Sequence, residues 1–172
     1  MIELQPYNDL AAHAVFSALD PHDLIEAGLM RGGAASHLAI FADWHAMQAN
    51  CVLSLVLRDK RRANQPFAVL ALGNTGQAGV AQAALLARKH RRHARALVAA
   101  CRQIRAEMPA FCSDLGIRRV EARAHDGHPR ASRFLQSCGF AFETDMSGFG
   151  GDGRAVFRQF AWTDPNCLSR GD

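Results

Sequence analysis

HPRASRFLQSCGFAFE, residues 128–143, reads as a short helix turned directly into a strand. His128-Pro129 opens the helix, Ala131, Phe134 and Leu135 give it an apolar side, and Gly139 stops it as a C-terminal glycine does. Phe140-Ala141-Phe142-Glu143 then has strand character. Downstream, Val156-Phe157-Arg158-Gln159-Phe160 is a second strand, reached through Gly148–Gly153. Asp152-Gly153 favours a hairpin turn at that point, so the chain closes on a β-hairpin with a mobile, glycine-rich tip.

Upstream, RRVEARAH (118–125) predicts another strand. Before it, residues 88–108 carry Ala94, Leu97, Val98, Cys101, Ile104 and Met108 on one helical stripe. Residues 51–57, 67–72 and 79–87 are three neighbouring apolar runs with short polar links, which predicts an antiparallel meander. At the N-terminal end, Ile2–Pro6 reads as a strand and Asn8-Asp9 caps a helix. Asp20-Pro21-His22-Asp23 starts a second helix that ends at Gly32-Gly33, and Ser36 caps a third.

The order is strand, helices, three strands, long helix, strand, short helix, two strands. It predicts one α/β (α+β) domain over residues 1–162, with a mixed, mostly antiparallel sheet of about six to seven strands. A polar tail, 163–172, is expected to fray. The length of 172 residues suits one core. No apolar run is long enough to span a bilayer, and MIELQPYNDL lacks the basic and apolar regions of a secretory signal. Cys51, Cys101, Cys112, Cys138 and Cys167 form no CxxC pair, as expected of reduced, packed thiols in a cytoplasmic protein.

The net charge of +4 hides a strong local bias. Arg88, Lys89, Arg91, Arg92, Arg95, Arg102 and Arg105 crowd one segment. Such a cluster can hold a phosphate or simply face water; nucleic acid is disfavoured because few aromatic side chains interleave with it. His90-x-x-His93 and His125-x-x-His128 have metal-like spacing but no third ligand in sequence, so structural histidines are the commoner outcome. The glycines at 148–153 precede a strand, not a helix, and so lack the context of a dinucleotide loop. Cys138 has no His partner in view and reads as packed.

Taken with this order, residues 128–143 resemble the fourth-helix segment of the GCN5-related N-acetyltransferase (GNAT) superfamily, and the likeness covers nearly the whole chain. It implies an acetyl-CoA site with the pyrophosphate against the helix after the fourth strand. The family's phosphate loop, Gln/Arg-x-x-Gly-x-Gly/Ala, aligns Lys89, Arg92 and Ala94 with its first, first-glycine and second-glycine positions, and Arg91 joins them as a cofactor-binding candidate. Arg92 departs from glycine. Leu135 stands where many members carry a Tyr acid, and leucine donates no proton. His128, near His125 and Asp126, is then the titratable substitute and the catalytic candidate.

Residues 133–135 and 139–142 further resemble phage-encoded acetyltransferase-like proteins, including internal virion proteins with a weakened phosphate loop. That narrower likeness implies a non-catalytic binding or assembly protein with virion protein partners and no cofactor, in the host cytoplasm or the virion. The alternative is an active acetyl-CoA-dependent N-acetyltransferase.

Overall fold

The computed structural model describes residues 1–167. The expected element order is present: β1 (Ile2–Pro6), α1 (Asp9–Phe16), α2 (Pro21–Met30), α3 (His37–Ala46), β2 (Cys51–Asp59), β3 (Gln65–Asn74), β4 (Val80–Ala87), α4 (Ala94–Asp114), β5 (Arg119–His125), α5 (Ala131–Ser137), β6 (Ala141–Phe149) and β7 (Ala155–Thr163). The strands form one seven-stranded sheet in the order β1-β2-β3-β4-β5-β7-β6. All neighbours are antiparallel except β4 and β5. Of the expected tail, Thr163 completes β7 and Asp164 N–H donates to the Arg118 carbonyl at 2.8 Å. Residues 168–172 lie outside the described residues.

The N-terminal helices start where the sequence places them. Asn8, Asp20 and Ser36 each accept a backbone N–H from the first turn of their helix. One sheet face carries α1 and α3, whose Ala12, Val15, Phe16 and Trp44 pack with Val56, Val69 and Ala71. The opposite face carries α4 and α5. There Ala96 and Ala100 pack on Leu57 and Phe67, and Cys101 and Cys112 pack on Val120, Ala122 and Phe160. No helix among the described residues is long and apolar enough to cross a membrane.

Two expectations shift. The long helix begins at Ala94, not at residue 88, and runs past Pro109 to Asp114. Residues 89–93 form a turn instead, in which Arg92 and His93 N–H both reach the Lys89 carbonyl. The cause is tertiary: Asp20 captures the His90 N–H at 2.8 Å, and Lys89 takes a φ of 41°, which no helix interior accepts. The closing hairpin also differs from a free tip. Gly150 N–H donates to the Leu29 carbonyl at 3.2 Å, and Gly151 sits against the Gly32 carbonyl so closely that a Cβ would lie 2.3 Å from its oxygen. The tip is docked on the end of α2.

Candidate active site at the parted strands

β4 and β5 pair only through Val80–Arg119, Ala81–Val120 and Gln82–Glu121. Beyond that point they part, while β4 stays bonded to β3 and β5 to β7. A cavity of about 1190 Å³ fills the opening. Its walls include Ala83 and Leu85, which face α4, and also Ala84 and Leu86, which pack on the α1–α3 side. The cavity therefore passes through the sheet. The small residues that line the seam, Ala83 and Ala84 on β4 and Ala122 on β5, leave room that larger side chains would fill.

α2 spans the wide end of the gap. Asp23 Oδ2 accepts the Ala87 N–H of β4 at 2.7 Å, and Glu26 Oε2 accepts the His125 N–H of β5 at 3.1 Å. Burial is the main reason the Glu26 carboxyl is pushed up to about 7; the Asp23 charge adds to it, while the His125 N–H and the nearby histidines oppose it. Asp23 behaves oppositely. Burial would raise it, but hydrogen bonds from His128, His90 and the Ala87 N–H outweigh burial and hold it below its ordinary value.

His128, the sequence candidate, is buried beside this helix, not free in the cleft. Its Nε2 lies 3.1 Å from Asp23 Oδ1, and its Nδ1 accepts the N–H groups of Arg130 and Ala131 at 3.2 and 3.0 Å. It thus caps α5. Burial disfavours its charged form and the carboxylates of Asp23, Glu26 and Asp20 favour it, with a net upward push. The hydrogen bonds decide for the neutral ring, because a proton on Nδ1 would face two donors. The expected cluster of His125, Asp126 and His128 does not assemble: His125 turns to Asp126 at 3.3 Å, and His128 to Asp23.

Neither sequence-spaced histidine pair stays together. His93 is buried, 3.0 Å from Asp59 and stacked on Phe67, whereas His90 Nε2 reaches Asp23 Oδ1 at 3.0 Å. Asp23, His90 and His128 do form a compact trio with metal-like spacing. The tautomer of His128 argues against a metal there. A ligating Nε2 needs its proton on Nδ1, with an acceptor opposite, and here Nδ1 is itself the acceptor. The trio is a hydrogen-bonded clasp.

The other candidates surround the start of α4. Lys89, Arg91, Arg92 and Ala94 are all exposed. The first bond into the helix runs from Leu97 N–H to the His93 carbonyl, and no side chain caps the end. The N–H groups of Ala94, Arg95 and Ala96 therefore point out of the helix without an intrahelical partner, at its positive end. His90 and Ala94 also line the cavity, so this helix end borders the gap. Leu135 lies half-buried on the cavity wall. The Cys138 thiol is buried and pushed upward, mainly by desolvation, as a packed thiol should be.

Sequence reasoning missed Glu26 and Asp23 as site residues and weighed His90 only as half of a spaced histidine pair. A signal was present: Asp20, Asp23 and Glu26 recur every three residues, which puts three carboxylates near one side of a helix. An acidic side is ordinarily solvated, and nothing local says that this one is buried.

No known family model matches the sequence, and no curated protein matches it. Solved structures do match. A spermidine N-acetyltransferase from Vibrio cholerae, solved with CoA and spermine, has 11% identity and a TM-score of 0.69, covering 98% of each chain. A GCN5-related N-acetyltransferase from Brucella melitensis has 19% identity and a TM-score of 0.67, over 95% of this chain and 76% of that one. The ribosomal-protein-S18-alanine N-acetyltransferase of Escherichia coli has 12% identity and a TM-score of 0.64, over 95% and 94%. The seven-stranded sheet, the parted β4 and β5 and the flanking helices are thus the fold of the GNAT acetyltransferases.

Proposed function

We propose that the protein is an acyl-CoA-dependent N-acyltransferase in which Glu26 takes the proton of an amine. One observation carries this reading: a half-buried carboxyl, pushed up to about 7, stands on the wall of a cavity that crosses the sheet. Such a group is an effective base near neutral pH because both of its forms are populated there.

The residues present fit the cofactor. Bound acyl-CoA supplies an activated thioester. Ala94, Arg95 and Ala96 N–H groups, with Lys89, Arg91 and Arg92, hold its pyrophosphate. The β4 backbone beyond Gln82 lacks a β5 partner and so offers hydrogen bonds to an extended arm lying in the gap. The amine enters from the α2 side, where Glu26 faces the cavity, and apolar walls exclude water from the reacting groups.

Leu135 and Arg92 favour a second reading, a non-catalytic binding or virion assembly protein of phage type that keeps the cleft for a partner. Leu135 offers no proton to a departing thiolate. The deciding experiment incubates the protein with acetyl-CoA and a panel of amines and follows CoA release and acylated product by mass spectrometry. Turnover that Glu26→Gln abolishes supports the enzyme. No turnover on any amine, with a stable complex recovered when neighbouring genes are co-expressed, supports assembly.

A further inference from the structure

The cavity is larger than an acetyl group requires, and one part of its wall is made of leucines. Leu55, Leu70 and Leu85 are successive cross-strand partners on β2, β3 and β4, and Leu4 pairs with Leu57 at the β1 end. All five line the same cavity as Glu26, and Leu97 of α4 forms part of the opposite wall. Leu4, Leu55, Leu70 and Leu85 are only half-buried although they lie under α4, and so is Leu97 on the helix itself. A sheet face packed tightly against its helix would leave no such space, since interiors fill to crystal-like density. Small residues on α4, Ala96 and Ala100, make the packing contact and hold the helix over the leucines.

We infer that this leucine wall is the binding site for the acyl chain of a medium-chain acyl thioester, so that the transferred group is fatty, not acetyl. The inference rests on the acyl-CoA reading above and names its donor. The occupant must be amphipathic: the apolar wall runs into the gap, whose lining reaches His90 and Ala94, the chain neighbours of exposed Lys89, Arg91 and Arg92. A chain with a polyanionic head satisfies both ends, whereas a neutral hydrocarbon or an apolar peptide leaves the cations unused. Length follows from the sheet. Three interstrand steps from β4 to β1 cover on the order of 14 Å. An extended chain advances roughly 1.3 Å per carbon, given bonds of about 1.5 Å. The wall thus accommodates about ten to twelve carbons.

Calorimetric titration of the full chain with CoA, acetyl-CoA, lauroyl-CoA and laurate tests this without requiring turnover. Lauroyl-CoA is expected to bind at least about tenfold more tightly than acetyl-CoA, because each buried methylene adds to the affinity. Leu70→Trp and, separately, Leu55→Trp should remove that gain, and CoA titrated into each variant reports whether the variant is folded. Equal affinity for CoA, acetyl-CoA and lauroyl-CoA overturns the inference and leaves the acyl-CoA reading standing. Binding of laurate with no binding of any CoA thioester overturns both.

Discussion

Asp23 and Glu26 lie one turn apart on α2 and hold the two strands that part from one another, Asp23 through the Ala87 N–H and Glu26 through the His125 N–H. The same helix therefore closes the open end of the gap and supplies the carboxyl that faces into it. The two carboxyls are pushed in opposite directions, Asp23 below its ordinary value and Glu26 up to about 7. On the proposed reading, one is a structural anion and the other is a proton acceptor.

Glu26→Gln keeps the shape and the acceptor oxygen for the His125 N–H but removes the base. Acyl transfer should fall by about 10²–10⁴-fold with CoA affinity unchanged. In the wild type, the rate should rise as pH passes through about 7, the value for Glu26. A loss of CoA affinity equal to the loss of rate would give Glu26 a binding role instead.

The same group fixes a pH dependence of stability. Its carboxyl is raised on folding from 4.5 to about 7, so the folded chain binds the extra proton in that interval. The stability this contributes is full below pH about 4.5 and is lost as pH rises through 7, on the order of 3 kcal/mol in all. Urea unfolding of wild type and Glu26→Gln across pH 4.5–8 should show the difference narrowing at the acid end. Asp23 works the other way: its contribution is present above 3.8 and is lost as pH falls below it.

Asp23→Ala should cost about 3–5 kcal/mol in urea unfolding, because it strands His90, His128 and the Ala87 N–H inside the fold. Zinc or a chelator should leave the wild-type melting temperature unchanged. Stabilisation by zinc would mean that His128 carries its proton on Nδ1.

Gly151→Ala places a Cβ 2.3 Å from the Gly32 carbonyl oxygen, and the strand tip must withdraw. A destabilisation of about 1–3 kcal/mol is expected. Hydrogen exchange should quicken at Gly150, whose N–H donates to Leu29.

Leu97→Ala separates a cavity wall from a packed core. A fully buried leucine costs about 2–5 kcal/mol on truncation. Leu97 is half-buried against the cavity, so its loss should cost about 1 kcal/mol in the free protein.

Much of the fold was legible because its signals are local. Asp20-Pro21, Ser36 and Gly139 act within one turn of where they stand, and the meander announces itself by three apolar runs. The start of α4 was not legible. Arg88–His93 have no residue that forbids a helix, and it is Asp20 on His90 N–H and Asp59 on the His93 ring that unwind them. The expected helix also stopped at Met108, but it continues through Pro109 to Asp114, with Cys112 fully buried beyond the proline. The site was illegible for the same reason. Asp23, His90 and His128 come from three separate segments, and Glu26 gains its character from burial that only the assembled sheet provides. The cations at the start of α4 were visible as a charge cluster, whereas the leucines of β2 and β3 looked like ordinary core.

The short β4–β5 pairing has a consequence for how this structure comes apart. Only three residues on each side pair β1–β4 with β5–β7. The ladders inside each part are longer, with five pairs between β1 and β2 and seven each between β3 and β4 and between β5 and β7. Beyond the three pairs the parts are held by Asp23 and Glu26 of α2 and by the packing of α4. That seam should open first, giving the protein a weak line through its middle while both halves keep their hydrogen bonds.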